Sequence, residues 1–431
     1  MTRCSAIARS LFPHSIEIPA ARGDGPSPNS LPDVVGALPE DGAATAETSL
    51  VDPLKNVTAS AGVYLLTDES DRPILLAHAQ NVRRAVAHRL AAPDPNERTK
   101  RANLSDVTRR LHWAETFSPF ETHWVHYRAA RAMYPASYGE MIGFAPAWFV
   151  RIDPSAPFPR FTATDRIRTD DARYFGPLAA MRDADEWIHM LEDAFDLCRY
   201  HNVLERAPNG ERCAYFDMGK CPAPCDGSLS MDAYRDMIRG TIEFTGGRHD
   251  DRLAVLRNLM QQASDRLAFE KASTIRKVIE RAEMTAARPE YAFMGDMATE
   301  ARLVIQRASS PRRDERKSLL RPYFVAGGHL ETGAAVSLAS VAEHLPAWIE
   351  SARQFRLVRR SAKSTAGVAS ARAEAVQRGE LASLVAKFLF QGDKAAGVFL
   401  HVDRLPDAAS LLELVRQRFS VAKAATAQTE N

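Results

Sequence analysis

The sequence has no long hydrophobic run and few cysteines. No segment of its 431 residues approaches the run of about eighteen apolar residues that marks a membrane-spanning helix. The basic N-terminus has no continuous apolar stretch, which argues against a secretory signal. Five cysteines are too few for a disulfide scaffold, and a net charge of +2 argues neither for nor against nucleic-acid binding. We therefore expect a cytoplasmic protein without membrane segments, in which any polyanion site is a local patch.

Composition and periodicity divide the chain into segments. The first is rich in Pro, Gly, Ala and acidic residues without a sustained period, which predicts a disordered leader. Alternating short apolar runs and helical spacings follow, which predict a multidomain α+β protein. Among them, Gly327-Gly328 predicts the turn of a β-hairpin. The predicted segments are 1–55 (leader), 56–152 (small α/β domain), 153–246 (helical, cysteine-rich), 247–286 (helix hairpin), 287–422 (C-terminal α+β region) and 423–431 (tail).

Four of the five cysteines lie close together in the sequence, at Cys198, Cys213, Cys221 and Cys225. Their spacing, C-x14-C-x7-C-x3-C, is not the short knuckle spacing of structural zinc sites. Thiolate sites for iron–sulfur clusters have more varied spacings. From the spacing alone, an iron–sulfur cluster, a zinc site and four ordinary buried cysteines all remain open.

Residues 250–284 show the clearest helical period in the chain. Apolar residues recur every three or four positions in two successive sets, which predicts a hairpin of two amphipathic helices. The sets are Leu253, Leu256, Met260, Ala263 and Leu267, then Phe269, Ala272, Ile275, Ile279 and Ala282. Such a hairpin is either a docking element for a partner or a core-packed part of its own domain.

Two motifs accompany the cysteines: the turn Tyr174-Phe175-Gly176-Pro177 and the set formed by Gly219, Lys220, Cys221, Pro224 and Cys225. With these motifs the cysteine region closely resembles the UvrC family, a component of the excinuclease ABC system of bacterial nucleotide excision repair. The resemblance covers about residues 60–335 and is strongest at 174–284. The resemblance implies that Cys198, Cys213, Cys221 and Cys225 bind a 4Fe–4S cluster, with zinc as the alternative.

The helix hairpin is similar to the UVR motif of that family, which implies docking to a UvrB-like protein. Two positions, Ser273 and Lys277, depart from the usual residues of the motif. The matching positions, and therefore the expected partner-binding residues, are Phe269, Glu270, Ala272 and Arg276.

The segment from Gly62 resembles the GIY-YIG nuclease domain of the family, with its catalytic residues replaced. Tyr64 retains the first signature, but Leu75 replaces the second tyrosine and Ala85 replaces the catalytic arginine. His78 takes the place of the usual lysine. His126 falls where the metal-binding glutamate is expected, with Glu121 as a possible stand-in. Losing one such electrostatic group costs about a hundredfold in rate, so we expect little nuclease activity.

We find no counterpart of the second nuclease of the family, an RNase H-like domain, after about residue 350. The resemblance therefore implies a shortened DNA-repair protein, involved in excision repair and the SOS response, that binds rather than cuts DNA. Whether the chain is an enzyme stays open. The alternatives are an active structure-specific endonuclease with rearranged catalytic residues and an adaptor that binds only protein.

Two clusters of basic residues are candidates for DNA contacts. The candidate contacts are Arg312, Arg313 and Arg316 in the first cluster, which also contains Lys317 and Arg321, and Arg359 and Arg360 in the second, which also contains Arg353, Arg356 and Lys363. Phosphate contacts from such clusters give salt-sensitive binding with little sequence preference. Clusters of this kind also occur as plain solvated faces. His123 and His126, three residues apart and with His112 nearby in the sequence, are compatible with a metal site, although isolated histidines more often satisfy a local hydrogen bond.

Overall fold

A computed structural model describes most of the chain in two compact units. In the described part of the chain, no helix is both long and apolar enough to cross a membrane. The first unit comprises the described residues up to Gly143, and the second those from Phe144 onward apart from Ser309. The described residues are 3–19, 53–91, 104–144, 147–168, 170–247, 249–309, 319–362, 368–390 and 397–420.

The first unit is an antiparallel sheet with helices on both faces, in the strand order β1-β4-β2-β3. Every residue of the central strand β2 is buried, because both of its faces are covered. Val63 and Leu65 pack with α1 and α3, whereas Tyr64 and Leu66 pack with α2 on the other face. The elements are α1 (Arg3–Leu11), β1 (His14–Glu17), β2 (Gly62–Thr67), β3 (Pro73–Ala79), α2 (Val82–Leu90), β4 (Arg110–Glu115), α3 (Pro119–Met133) and α4 (Tyr138–Ile142).

The N-terminal residues depart from the predicted disordered leader. Residues 3–19 form α1 and β1, and β1 pairs antiparallel with β4 from His14 to Glu17. Ala8 and Phe12 are buried in the core of the unit, and the His14 ring stacks on Trp113 at 5.3 Å. A short segment that lacks its own core is ordered here by pairing with a distant strand. Residues 20–52 of the predicted leader lie outside the described residues.

The second unit begins with a sheet in the order β6-β5-β7-β8. One face packs on α5 and α8 around Trp187, while Phe149 and Tyr174 face α12 (Val368–Leu389). The strands are β5 (Trp148–Ile152), β6 (Phe161–Thr164), β7 (Arg173–Leu178) and β8 (Gly295–Asp296). The helices of this part are α5 (Met181–Ala194), α6 (His201–Leu204), α7 (Ala214–Asp217), α8 (Met231–Thr245), α9 (His249–Asp265) and α10 (Phe269–Ala286).

The predicted boundary between the first two domains, at 152/153, needs correction. It cuts off β5, which pairs with both β6 and β7 and therefore belongs to the second unit. The division observed lies between Gly143 and Phe144. The strand was misassigned because a short apolar run does not reveal which sheet it joins.

The C-terminal part of the second unit is a sheet in the order β11-β10-β9-β13, with β12 paired to β10. Helices α11 and α13 cover one face. The predicted hairpin turn at Gly327-Gly328 is confirmed, with φ of 57° and 82°. The elements are β9 (Ala301–Arg307), β10 (Leu319–Ala326), β11 (His329–Thr332), β12 (Val336–Ser337), α11 (Val341–Ala362), α12 (Val368–Leu389), β13 (Gly397–His401) and α13 (Ala408–Ser420). This mixture of helices and antiparallel sheets confirms the predicted multidomain α+β class.

Candidate functional site

The cysteine segment connects α5 to α8. Cys198 follows the end of α5, and Cys213 immediately precedes α7. Cys221 and Cys225 are buried in the loop between α7 and α8. Between them, Ala223 has a left-handed backbone with a φ of 54°, a conformation that a residue with a side chain rarely adopts. The loop is therefore held in a specific bent shape at the position where two of the thiols are presented.

Three of the four thiols interact. The Cys198 thiol donates a hydrogen bond to the Tyr200 carbonyl oxygen at 3.5 Å. Its interaction with the neighbouring Cys221 lowers the pKa of Cys221 to about 7 and raises the pKa of Cys198. Burial raises the pKa of Cys225, and the neighbouring Cys221 thiolate adds to this effect. Cys221 is therefore the first of these thiols to become a thiolate, the form that binds metal.

Arg199 ties the cysteine loop to the end of α5. Its guanidinium donates hydrogen bonds to the carbonyl oxygen of Lys220 at 3.0 Å and to the Asp193 carboxylate at 2.5 Å. It also lies over the ring of Tyr215, 4.5 Å from the centroid. The interaction with Cys198 is the largest cause of the lowered pKa of Cys221, and the positive charge of Arg199 acts in the same direction. One cation thus fixes the loop and favours its most acidic thiol.

Cys213, the fourth predicted ligand, is half-buried at the start of α7. Within the described ranges, no three His, Cys, Asp or Glu side chains are arranged to hold a metal ion together. The chemistry of the donors nevertheless fits a thiolate-ligated group, because Cys198, Cys221 and Cys225 already influence one another's ionisation. A four-thiolate set requires side chains of this loop to move.

A cavity of about 200 Å³ opens beside Cys198. Burial in its wall raises the pKa of Glu192. The His201 ring contacts the carbonyl oxygen of Phe158 at 3.1 Å and closes one side. The polar residues of the lining are Arg160, Glu192, Cys198, Arg199, His201 and Tyr234. The cysteine segment therefore has an adjoining polar cavity with two guanidinium groups.

The base of the helical hairpin packs into the core of the second unit. Leu253 and Leu256 of α9 and Ile279 and Ala282 of α10 are buried there. Arg288 pairs with Glu186 of α5 at 2.7 Å. The predicted hairpin is confirmed as two packed helices, and at its base the interpretation as a core-packed element is correct.

The tip of the hairpin, residues 266–270, is exposed, in contrast to the buried base. Leu267 is 74% exposed and Phe269 is 63% exposed. Leu267 also has a left-handed backbone, with a φ of 60°. An L-residue pays on the order of 1 kcal/mol for this conformation, which glycine would adopt freely. The tip thus keeps two exposed apolar side chains, one of them on a strained backbone.

The other predicted partner-binding residues surround this tip. Glu270 is exposed and Ala272 is half-buried. Arg276 is exposed and pairs with Glu280 one turn later, at 3.7 Å. Of the two positions that depart from the motif, Ser273 is half-buried and Lys277 is exposed. The tip is therefore an apolar pair bordered by charges of both signs.

The nuclease-like positions of the first unit lie in two different places. Tyr64 is only 3% exposed and packs with Leu75 and Ala85 in the core on the α2 face. Glu121 and His126 are buried on α3, which packs against the other face. The structure therefore does not place the Tyr64 phenol at an exposed surface, and sequence alignment alone could not reveal this burial.

His126 lies against two other histidines. Its ring centroid is 5.1 Å from that of His78 on β3, and the His78 centroid is 5.4 Å from that of His123. Burial, together with the charge that His78 can carry, lowers the pKa of His126 to about 4. The sequence placed His123 and His126 on one helical face, but the position of His78 beside them depends on the sheet register.

The predicted DNA contacts fall largely outside the described residues. Arg312, Arg313 and Arg316 are not among them. Arg359 and Arg360 belong to α11, but only their backbone is described.

Comparison with known proteins identifies the middle of the chain. Residues 147–244 match the family model of the UvrC/Cho excinuclease middle domain. This range contains the strands β5–β7, the helices α5–α7, all of α8 except its last residue, and the four clustered cysteines. No solved structure matches the chain.

Several curated proteins named UvrABC system protein C are also similar to this chain. The chain is 26% identical over 249 residues to the UvrABC system protein C of Trichlorobacter lovleyi, a match that covers 57% of this chain and 40% of the relative. It is 31% identical over 183 residues to the protein of the same name in Acetivibrio thermocellus, covering 42% of this chain and 28% of the relative. The corresponding protein of Ruminiclostridium cellulolyticum is 33% identical over 132 residues, covering 30% of this chain and 22% of the relative.

The fold and the cysteine segment thus define a protein with an excinuclease-type middle domain. The resemblance to the UvrC family that the sequence motifs indicated is thereby shown for the middle domain, residues 147–244. The matches span 40% or less of the length of these relatives.

Proposed function

We propose that this chain works in nucleotide excision repair as a UvrC-like protein that binds DNA and a UvrB-like protein without cutting DNA itself. The observation that carries the proposal is the hairpin adjoining the matched middle domain, with a buried base and an exposed apolar tip. A core-packed hairpin alone does not require Leu267 and Phe269 at its outer end.

The proposed partner contact is formed by Leu267 and Phe269. Buried aromatic anchors usually contribute most of the energy of an interface, often 2 kcal/mol or more each. The base of the hairpin is fixed to α5 by Arg288–Glu186 at 2.7 Å and by the Tyr291 hydroxyl, which donates to the Asp183 carbonyl at 2.9 Å. The tip is therefore presented on a rigid support, which reduces the entropy lost on binding.

The proposed cofactor is a 4Fe–4S cluster held by Cys198, Cys213, Cys221 and Cys225, with zinc as the alternative. The low pKa of Cys221 and its contact with Cys198 support thiolate ligation. When bound, such a cluster crosslinks the loop and can exchange an electron. The residues of this chain supply the thiolates, while Arg199 fixes the loop and balances negative charge.

The proposed lack of incision rests on the first unit. Leu75 and Ala85 offer neither a phenol nor a cation, and the Tyr64 phenol is buried. His126, with its pKa near 4, is neutral at pH 7 and supplies no carboxylate for a magnesium ion. The unit is thereby proposed to be a scaffold rather than a nuclease.

The proposed DNA contacts come from the basic clusters around Arg312 and Arg359. If they bind phosphates, the affinity falls steeply with salt and depends little on sequence. An adaptor that binds only protein shows no such dependence.

Anaerobic purification of the full chain, followed by iron and sulfide analysis and a DNA-binding titration at several salt concentrations, tests the proposal. We expect a brown protein that binds duplex DNA with a steep salt dependence. A colourless protein with stoichiometric zinc replaces the cluster assignment, and salt-independent or undetectable DNA association favours the adaptor. Replacing Leu75, Ala85 and His126 by Tyr, Arg and Glu together tests whether the scaffold can regain incision.

A further inference from the structure

The three histidines of the first unit form a cluster that the proposed function does not use. His78 belongs to β3, and His123 and His126 belong to α3, where residues three apart share one face. His78 is the common neighbour, with centroid distances of 5.1 Å to His126 and 5.4 Å to His123. Two elements distant in sequence therefore bring three imidazoles together.

The ring spacing is that of imidazoles around a tetrahedral ion. A zinc–nitrogen bond is about 2.1 Å long, and the centre of an imidazole ring lies about 1.1 Å beyond the nitrogen. Each ring centroid is therefore about 3.2 Å from the metal. Two such rings at the tetrahedral angle are then about 5.2 Å apart. Both measured separations, 5.1 and 5.4 Å, agree with this value.

His126 adds a second, independent indication of a ligand. Its side chain is only 8% exposed. Its Nε2 atom is buried and has no hydrogen-bond partner among the residues that the structure describes. A buried polar nitrogen of this kind costs about 1–3 kcal/mol unless something binds it.

The geometry points to a site for a divalent transition-metal ion of the zinc class, bound by His78, His123 and His126. Imidazole favours zinc, nickel and copper, whereas magnesium prefers carboxylate and water oxygens. Among the described residues no such group is already arranged around an ion. Binding therefore requires the rings to turn about χ2, a soft torsion, while their centres remain near their present positions. The fourth position is left for water.

A cobalt(II) titration of the full chain at pH 7.5, in excess magnesium, tests this site. We expect one cobalt ion per chain to bind at this site and to give visible d–d bands. We expect His78→Gln or His123→Gln to lower the affinity for that ion by at least about a hundredfold. His88→Gln is the matched control, since His88 is exposed on α2 of the same unit. His123 is half-buried, so its replacement disturbs the fold less than that of His126.

The difference spectrum between the wild type and His123→Gln separates this site from the thiols. The proposal predicts a difference without thiolate-to-cobalt charge-transfer bands. It is overturned if His123→Gln and His78→Gln, folded by circular dichroism, bind cobalt with the stoichiometry and affinity of the wild type. Binding that disappears only when cysteines are replaced also overturns it. Neither result bears on partner or DNA binding.

Discussion

The guanidinium of Arg199, next to Cys198, lies 4.5 Å from the ring centroid of Tyr215 on α7, the helix that leads into the cysteine loop. Arg199 also pairs with Asp193, which in turn pairs with Arg281 of α10. A single chain of charged contacts therefore connects the cysteine loop, α5 and the helical hairpin.

Arg199→Ala is expected to lower the free energy of unfolding of the full chain by about 2 kcal/mol. The variant loses a cation–π contact and several charge-assisted hydrogen bonds at a side chain that is only 12% exposed. Arg239→Ala is the control, because Arg239 and its partner Asp236 are both more than 60% exposed. Chemical denaturation checks both variants. Equal effects of the two replacements would show that Arg199 does not organise the loop.

Cys221→Ser is expected to remove the colour of the anaerobically purified protein and to reduce its iron and sulfide content. Cys221 is the thiol with the lowest pKa of the interacting set, about 7. Cys4→Ser is the control, since Cys4 belongs to α1 of the first unit. Absorbance at about 400 nm and metal analysis provide the readout. Unchanged iron in Cys221→Ser would contradict the assigned ligand.

Phe269→Ala is expected to weaken association with a UvrB-like protein by about thirtyfold or more, while thermal stability stays nearly constant. A buried aromatic anchor is worth about 2 kcal/mol or more, and each 1.4 kcal/mol is about tenfold in affinity. Because Phe269 is 63% exposed, its removal costs the free chain little. Met284→Ala is the control, at a side chain 72% exposed on the same helix but far from the tip. Binding is measured by titration calorimetry.

Leu267→Gly sharpens this test. Glycine relieves the left-handed backbone, so the free energy of unfolding is expected to stay constant or rise slightly. Partner affinity is expected to fall, because the exposed side chain is lost. A variant that loses stability and keeps its affinity would mean that the tip serves the fold rather than a partner.

Stability of the second unit is expected to fall as the pH drops from about 6.5 towards 3. Burial, with the charge of Arg302, lowers the pKa of His401 to about 3, and Arg404 and Arg356 act in the same direction while Asp403 opposes them. In this interval His401 binds a proton in the unfolded chain but not in the folded chain, so acid favours unfolding.

His401→Asn is expected to flatten this acid limb. The Asp403 backbone N–H donates to Nδ1 of His401 at 3.2 Å, and the Asn side-chain oxygen can accept that bond without titrating. Thermal melts between about pH 3 and about pH 8, a range that includes the titration of histidine, provide the measurement. His344→Asn, at a half-buried histidine of α11, is the control. An unchanged pH profile in His401→Asn would assign the acid sensitivity to other groups.

Local patterns predicted the elements whose structure is determined locally. The 3.6-residue period of residues 250–284 predicted both helices of the hairpin, and Gly327-Gly328 predicted the turn between β10 and β11. Features that depend on distant contacts were not predictable. Strand β1 is ordered only by its pairing with β4, and β5 joins a sheet that its own sequence does not specify.

The candidate sites show the same division. Motif spacing identified Cys198, Cys221 and Cys225, whose interaction the structure then shows. The role of Arg199 was missed because an arginine between two motifs carries no local signal. The contact of His78 with His126 depends on the packing of α3 against β3, which no sequence period reports.

The most direct test of the central claim measures binding and incision together, on a duplex carrying a single lesion, with a UvrB-like protein and magnesium or manganese. The account predicts a salt-sensitive complex of the full chain with the loaded duplex and intact strands on a denaturing gel. Metal-dependent nicks by the wild-type chain that disappear in Tyr64→Phe or Glu121→Gln would contradict it and establish an active nuclease.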